Sequence, residues 1–120
     1  EGALRLLFEI AADGQVSRSV RSFIAEAQFD EAFRAKFYDA FVSRRHAFFG
    51  GILERGVAGG QLRPDLDVEG TMDVILGAFW FRLLSGSPRP LDAAYAHLIV
   101  DLLRPGLSPP ADAARARKRR

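Results

Sequence analysis

The sequence predicts an all-α fold, a five-helix bundle of orthogonal and antiparallel rods, and three observations predict it. Apolar residues return at three- and four-residue spacing along nearly the whole chain, with no sustained alternation of the kind a half-buried strand requires. Helix-start residues (Asp30, Asp67, Pro90) stand just ahead of apolar runs, and Gly- or Pro-rich breaks follow those runs. At 120 residues, with ten Phe and no Cys, the chain suffices for one core and is too short for two domains.

The first helix, about Gly2 to Ala12, aligns Leu4, Leu7, Phe8 and Ala11 and ends near Asp13-Gly14. A second, about Gln15 to Gln28, aligns Val16, Val20, Phe23, Ile24 and Ala27, with Arg18, Arg21 and Glu26 elsewhere. Asp30 caps a third, which runs from Glu31 to about Ala58 and stops at Gly59-Gly60. Two apolar rows follow this third helix: Phe33, Phe37, Phe41, Phe48 and Ile52, and beside them Tyr38, Val42, Phe49, Leu53 and Val57. Gly50, Gly51 and Gly56 weaken its latter half, and their return is close helix approach or free volume. Asp67 caps a fourth helix, Val68 to about Leu84, closed by Ser85-Gly86-Ser87-Pro88. Pro90 fits the first position of a fifth, Leu91 to Leu103, which Pro105-Gly106 ends. Residues 1–107 form the helical domain. Residues 108–120 hold no apolar side chain larger than Ala and are expected to be a disordered basic tail.

Charge follows the same division. From Ala111 onward five cations face one anion, so the tail is +4 and the remainder −2, and the high isoelectric point belongs to the tail. A folded surface built to grip phosphates is basic, so nucleic-acid binding by the domain itself is not expected. The longest strongly apolar stretch, Met72 to Leu84, includes Asp73 and Arg82 and is too short for a membrane span, so no membrane partner is expected. Absence of Cys favours a cytoplasmic location. The start, Glu1-Gly2-Ala3-Leu4-Arg5, has neither an initiator Met nor a signal-peptide pattern, and the chain reads as a fragment of something longer.

The fourth helix is apolar all round. Val68, Met72, Ile75, Phe79 and Leu83 share one face, Val74, Gly77, Phe81 and Leu84 lie nearly opposite, and Trp80 stands between. Four other helices can hardly enclose it, so a second copy is the expected cover, the alternative being a central helix in a monomer. On the fifth helix Leu91, Tyr95, Leu98, Ile99 and Leu102 are placed inward, and Ala93, His97, Val100 and Arg104 on the other side. The expected homodimer seam therefore comprises Val74, Gly77, Phe81, Leu84, Ala93, His97, Val100 and Arg104.

The run Arg21-Ser22-Phe23-Ile24-Ala25-Glu26-Ala27-Gln28 is followed by an acidic helix start, then by Phe41-Val42-Ser43-Arg44-Arg45 and Ile52-Leu53-Glu54-Arg55-Gly56. Next come Gly60-Gln61-Leu62-Arg63-Pro64-Asp65-Leu66-Asp67, Gly77-Ala78-Phe79-Trp80-Phe81-Arg82-Leu83-Leu84 and Leu102-Leu103-Arg104-Pro105-Gly106-Leu107. In this order the segments resemble the C-terminal effector-binding and dimerisation domain of TetR-type transcriptional regulators, over about residues 2 to 107. The resemblance implies a dimer through the last two helices and a pocket whose ligand sets the spacing of two DNA-reading heads. No N-terminal helix-turn-helix lies in these residues, so DNA contact is expected only of a longer parent protein.

For a ligand the candidates are Gln28, Tyr38, Phe41, Arg45, His46, Phe49, Phe79 and Trp80, an aromatic set with a few polar tips suited to an apolar or acidic small-molecule effector. Arg45 projects between Phe41 and Phe49, where an unpaired charge is costly, so it is read as a snorkelling stem, as an ion pair with a carboxylate of another helix, or as an anchor for an acid. His46 is read as a hydrogen-bonded histidine at the core edge or a ligand contact, and His97 as a partner of Asp101 four residues on. Metal-ligand spacing, a phosphate loop, Gly-x-Ser-x-Gly and His-Glu-x-x-His are all missing from the sequence, so no metal, cofactor or enzymatic activity is expected. The competing function is a helical protein-interaction module or a small helical-bundle enzyme.

Overall fold

Four aspartates open helices in the computed structural model. Asp13, Asp30, Asp67 and Asp92 stand in extended backbone, and their carboxylates accept the first-turn amides of Gln15, Phe33, Gly70 and Tyr95 at 2.9, 3.0, 2.9 and 2.8 Å. Each such cap contributes about 1 kcal/mol to its helix. The helices are α1 (Gly2–Ala11), α2 (Gly14–Ala27), α3 (Glu31–Phe37), α4 (Ser43–Ala58), α5 (Val68–Leu84), α6 (Ala93–Leu107) and α7 (Ala111–Lys118). A π-helical stretch, Tyr38–Val42, joins α3 to α4 without a break, so up to α6 the chain makes five rods, as expected. The backbone is described over residues 1–120 and the side chains of all but residues 113, 114, 116 and 117; among the described residues there is no strand. None of the helices is long and apolar enough to cross a membrane.

The core gathers where α1 lies against α2, α5 and α6. Leu4, Leu7 and Phe8 of α1 meet Val20, Phe49, Met72, Leu76, Phe79, Leu83, Ala96 and Ile99. Phe8 is fully buried, with its ring 6.0 Å from that of Phe79 and 5.6 Å from that of Tyr95.

The π segment alters the long third rod. Its wider turn shifts the helical phase, and the inward stripe changes rows there. Before it Phe33 and Phe37 are half-buried, and within it Phe41 and Val42; after it Phe49, Leu53 and Val57 turn inward, while Phe48 and Ile52 of the first row are exposed. A straight helical wheel has no such switch. Gly60, with φ 76°, closes α4, and the amides of Gln61 and Leu62 fold back onto the Gly56 carbonyl at 3.0 Å.

Two ends differ from the sequence expectation. Helix α6 starts at Ala93, not Leu91, because the Asp92 carboxylate caps it, and it runs through Pro105 to Leu107. Ser108 donates its amide and its hydroxyl to the Arg104 carbonyl, and the Arg63 amide takes that of Leu107, so last-turn carbonyls find donors. Residues 108–120 were expected to be disordered, yet Ala111–Lys118 form α7, an Ala- and Arg-rich segment of high helix propensity.

Candidate functional site

A large, partly enclosed apolar cavity of about 360 Å³ lies within the bundle. Leu4 of α1, Phe49, Ile52, Leu53 and Gly56 of α4, Met72, Ile75 and Leu76 of α5, and Val100 and Leu107 of α6 form its walls. Glu1 and the Gln61-Leu62 connector stand at its edge. Gly56 is needed there, since a Cβ would come within 2.7 Å of the Leu62 side chain. Gly50 lets Met72 approach to ordinary contact, where a Cβ would meet its sulfur at 3.3 Å. Of the two returns expected of these glycines, close approach is the one seen at Gly50 and Gly56, which let Met72 and the connector pack against α4.

Two smaller crevices continue along the inner face of α4. One, about 10 Å³, is lined by Leu7, Val42, Arg45, His46, Leu76, Phe79 and Trp80. The other, about 30 Å³, lies among Leu7, Ile10, Ala11, Val16, Ser17, Val20, Phe41, Arg45, Phe79 and Leu83. Leu76 is shared by the cavity and the first crevice; Leu7, Arg45 and Phe79 are shared by both crevices. A further, open cleft of about 460 Å³ runs past Arg63, Asp65 and Asp67. Its charged groups are already engaged: Arg63 holds Asp65 in a two-pronged pair at 2.6 and 2.8 Å, keeping that carboxyl below the usual range, and Asp67 caps α5.

Six of the eight candidate ligand residues line one of these three neighbouring hollows: Phe41, Arg45, His46, Phe49, Phe79 and Trp80. Gln28 does not; it is exposed and donates to its own helix at the Ile24 carbonyl. Tyr38 does not either, because the π segment leaves it 51% exposed. Arg45 has no carboxylate within 4 Å among the described residues, so the expected ion pair is not formed. Its guanidinium lies 3.5 Å over the Phe41 ring and donates to the Phe41 carbonyl at 3.2 Å, and burial pulls its pKa down.

Sequence reasoning passed over Ser17, although it stands in register with Val20, Ile24 and Ala27 on the inward face of α2. Val16 and Phe23, placed inward, are exposed. The register 17, 20, 24, 27 was visible, and the polar character of serine hid it.

On α5 the outward set is as read: Val74, Phe81 and Leu84 are exposed, Phe81 to 69%, and a Cβ on Gly77 would meet nothing within 4 Å. Helix α6 departs from the reading. Ala93 and Arg104 are exposed, but Val100 lines the large cavity, and His97 takes Glu1 across 2.6 Å instead of Asp101. That contact holds the Glu1 carboxyl below its usual range. Leu98 and Leu102, placed inward, are exposed, Leu102 to 70%, while Ala96 and Ile99 fill the core. Since α6 packs on α1 through Ala96 and Ile99, its inner stripe is rotated from the one drawn on the wheel. His46 and His97 line different regions, and no cluster of metal-binding side chains occurs among the described residues.

An uncharacterized HTH-type transcriptional regulator of Bacillus subtilis (strain 168), YdeS, is 28% identical to this chain over 85 residues, covering 71% of the chain and 43% of the regulator. The chain thus spans less than half the length of that relative. No solved structure matches. A family model described as the tetracyclin repressor-like C-terminal domain matches residues 1–103, nearly the whole of the five rods, and to that family the chain belongs.

Proposed function

We propose that this chain is the effector-sensing and homodimerisation module of a longer transcriptional regulator. An apolar small molecule occupies the cavity among α1, α4, α5 and α6, and a helix-turn-helix outside these residues reads DNA in the cytoplasm. Membership in a repressor-like family, with likeness to a protein named a transcriptional regulator, makes the chain regulatory and not enzymatic. One observation carries the sensing role: α5 presents Met72, Ile75 and Leu76 to the cavity and Val74 and Phe81 to the outside. A ligand pressing on the inner side acts on the same rod that offers the outer side to a second copy.

Coupling follows if the ligand binds two dimer geometries unequally, and a difference of about 1 to 3 kcal/mol is typical of such switches. Exposed Leu98 and Leu102 of α6 extend the proposed seam, replacing Val100 and His97 of the sequence reading. Sedimentation of this chain is expected to give a dimer, and binding of apolar compounds of cavity size is expected to shift the emission of Trp80, which lines the adjoining crevice. A stable monomer whose emission and melting temperature ignore a broad apolar library would overturn the proposal.

A further inference from the structure

The crevice between α1, α2, α4 and α5 differs in chemistry from the large cavity. Its walls are aliphatic and aromatic, but two polar side chains reach it, Ser17 and Arg45. Ser17 is 8% exposed and is the buried polar residue of the core, and its hydroxyl has no hydrogen-bond partner among the described residues. Arg45 spends one N–H on the Phe41 carbonyl and leaves the rest of its five donors without an acceptor among the described residues. Both groups line the same apolar crevice with no further acceptor from the chain beside them among the described residues, and neither is sealed from water, so an anionic acceptor entering the crevice would take the place of solvent.

We infer that the effector is a carboxylic acid with an apolar body, and that Arg45 and Ser17 receive its carboxylate. The inference rests on the sensor reading above. The guanidinium can only donate and the serine hydroxyl can donate to the same acceptor, so an anionic oxygen group fits and a cationic amine does not. The crevice, about 30 Å³, is of a size that suits a small head group such as a carboxylate. A planar carboxylate also matches the guanidinium fork in two-point geometry.

The body has a place to go. Arg45, Leu7 and Phe79 border the narrow crevice that includes Trp80, and its wall residue Leu76 borders the cavity of about 360 Å³. Along the third rod the three hollows follow one inner face: Phe41 of the π segment and Arg45, then His46, then Phe49 and Leu53 of α4. The crevice between the other two hollows, about 10 Å³, is flanked by half-buried His46 and Trp80, and for an alkyl chain to pass, these two side chains must move aside. A charged head at Arg45 and a tail toward Met72 would thus span the length of the inner face, with Trp80 beside the chain.

The test uses decanoate and 1-decanol with the 120-residue chain, followed by Trp80 emission and calorimetry. Decanoate is expected to bind about tenfold or more tighter than the alcohol, the yield of a charge-assisted hydrogen bond in a dry site. Arg45→Met is expected to abolish that preference, with helical circular dichroism and a cooperative melting transition retained to show that the variant is folded. Ser17→Ala, a gentler change, is expected to weaken decanoate alone by a smaller factor. Equal affinity for acid and alcohol in the unaltered chain, or a preference that survives both substitutions, overturns the carboxylate site and leaves the sensor reading standing. If neither probe binds, the inference falls; the sensor reading falls with it only when neutral apolar compounds of cavity size also fail to shift the melting temperature.

Discussion

The two faces of α5 are equally apolar and fare differently. Met72, Leu76, Phe79 and Leu83 are buried by α1, α4 and their neighbours, whereas Val74, Phe81 and Leu84 are exposed in the single chain, Val74 to 57%. Phe79 and Phe81 are the same residue type two positions apart. Burial of such a ring stabilises by about 1.5 to 3 kcal/mol, and Phe79 realises this inside the protomer. Phe81 can realise it only against another molecule. Hydrophobicity therefore says that a face needs cover, and packing says whose chain supplies it.

Substituting the inner ring gives the largest expected effect. Phe79 packs on Phe8 and on Trp80, with centroids 6.0 and 5.0 Å apart, so Phe79→Ala leaves a cavity at the centre of the bundle. A loss of about 3 to 5 kcal/mol in urea unfolding is expected. A loss below about 1 kcal/mol would mean that the inner face is less tightly packed than its burial indicates, and the contrast between the faces would disappear.

On the outer side the expected result is different in kind. Phe81→Glu removes few contacts within the protomer, so folding of the isolated chain should change by no more than about 0.5 kcal/mol. Association should be lost, because a carboxylate at the centre of an apolar seam is left unpaired. Sedimentation at the mass of one protomer, with helical circular dichroism retained at low concentration, is the expected outcome. A dimer that persists in Phe81→Glu would move the seam elsewhere on the molecule.

Sequence periodicity served well where a rod is straight and capped by a side chain. Asp30 and Asp67 were identified as caps, and α5 has the bounds Val68–Leu84 that its flanking residues predict. It failed where geometry departs from 3.6 residues per turn or where a neighbour sets the rotation. The π segment moved Tyr38 outward and exchanged the buried row of α4, so Phe48 and Ile52 became exposed and Phe49 reached the cavity. Packing of α6 on α1 turned Leu98 and Leu102 outward. In the site, Arg45, Phe41, Phe79 and Trp80 were legible because a charge or a large ring among apolar residues is conspicuous. Ile75, Val100 and Leu107 were not, because an aliphatic wall residue looks like any other core residue until the empty volume beside it is known.

Gly77 sharpens the contrast with the least disturbance. In a lone protomer a methyl group there meets nothing within 4 Å, so Gly77→Ala should raise helix stability by about 0.5 to 1 kcal/mol. If α5 of one copy passes close to its twin at this position, the same methyl group forces the rods apart, and the dimer dissociates more readily. The substitution therefore has opposite signs in two measurements on one sample series: urea unfolding at a concentration where protomers are separate, and sedimentation equilibrium across a concentration range. Higher protomer stability with weaker association places Gly77 in the contact between copies. Higher stability with unchanged association moves that contact along α5 toward Phe81 and Leu84, and lower protomer stability would show that the outer face is already occupied within the chain.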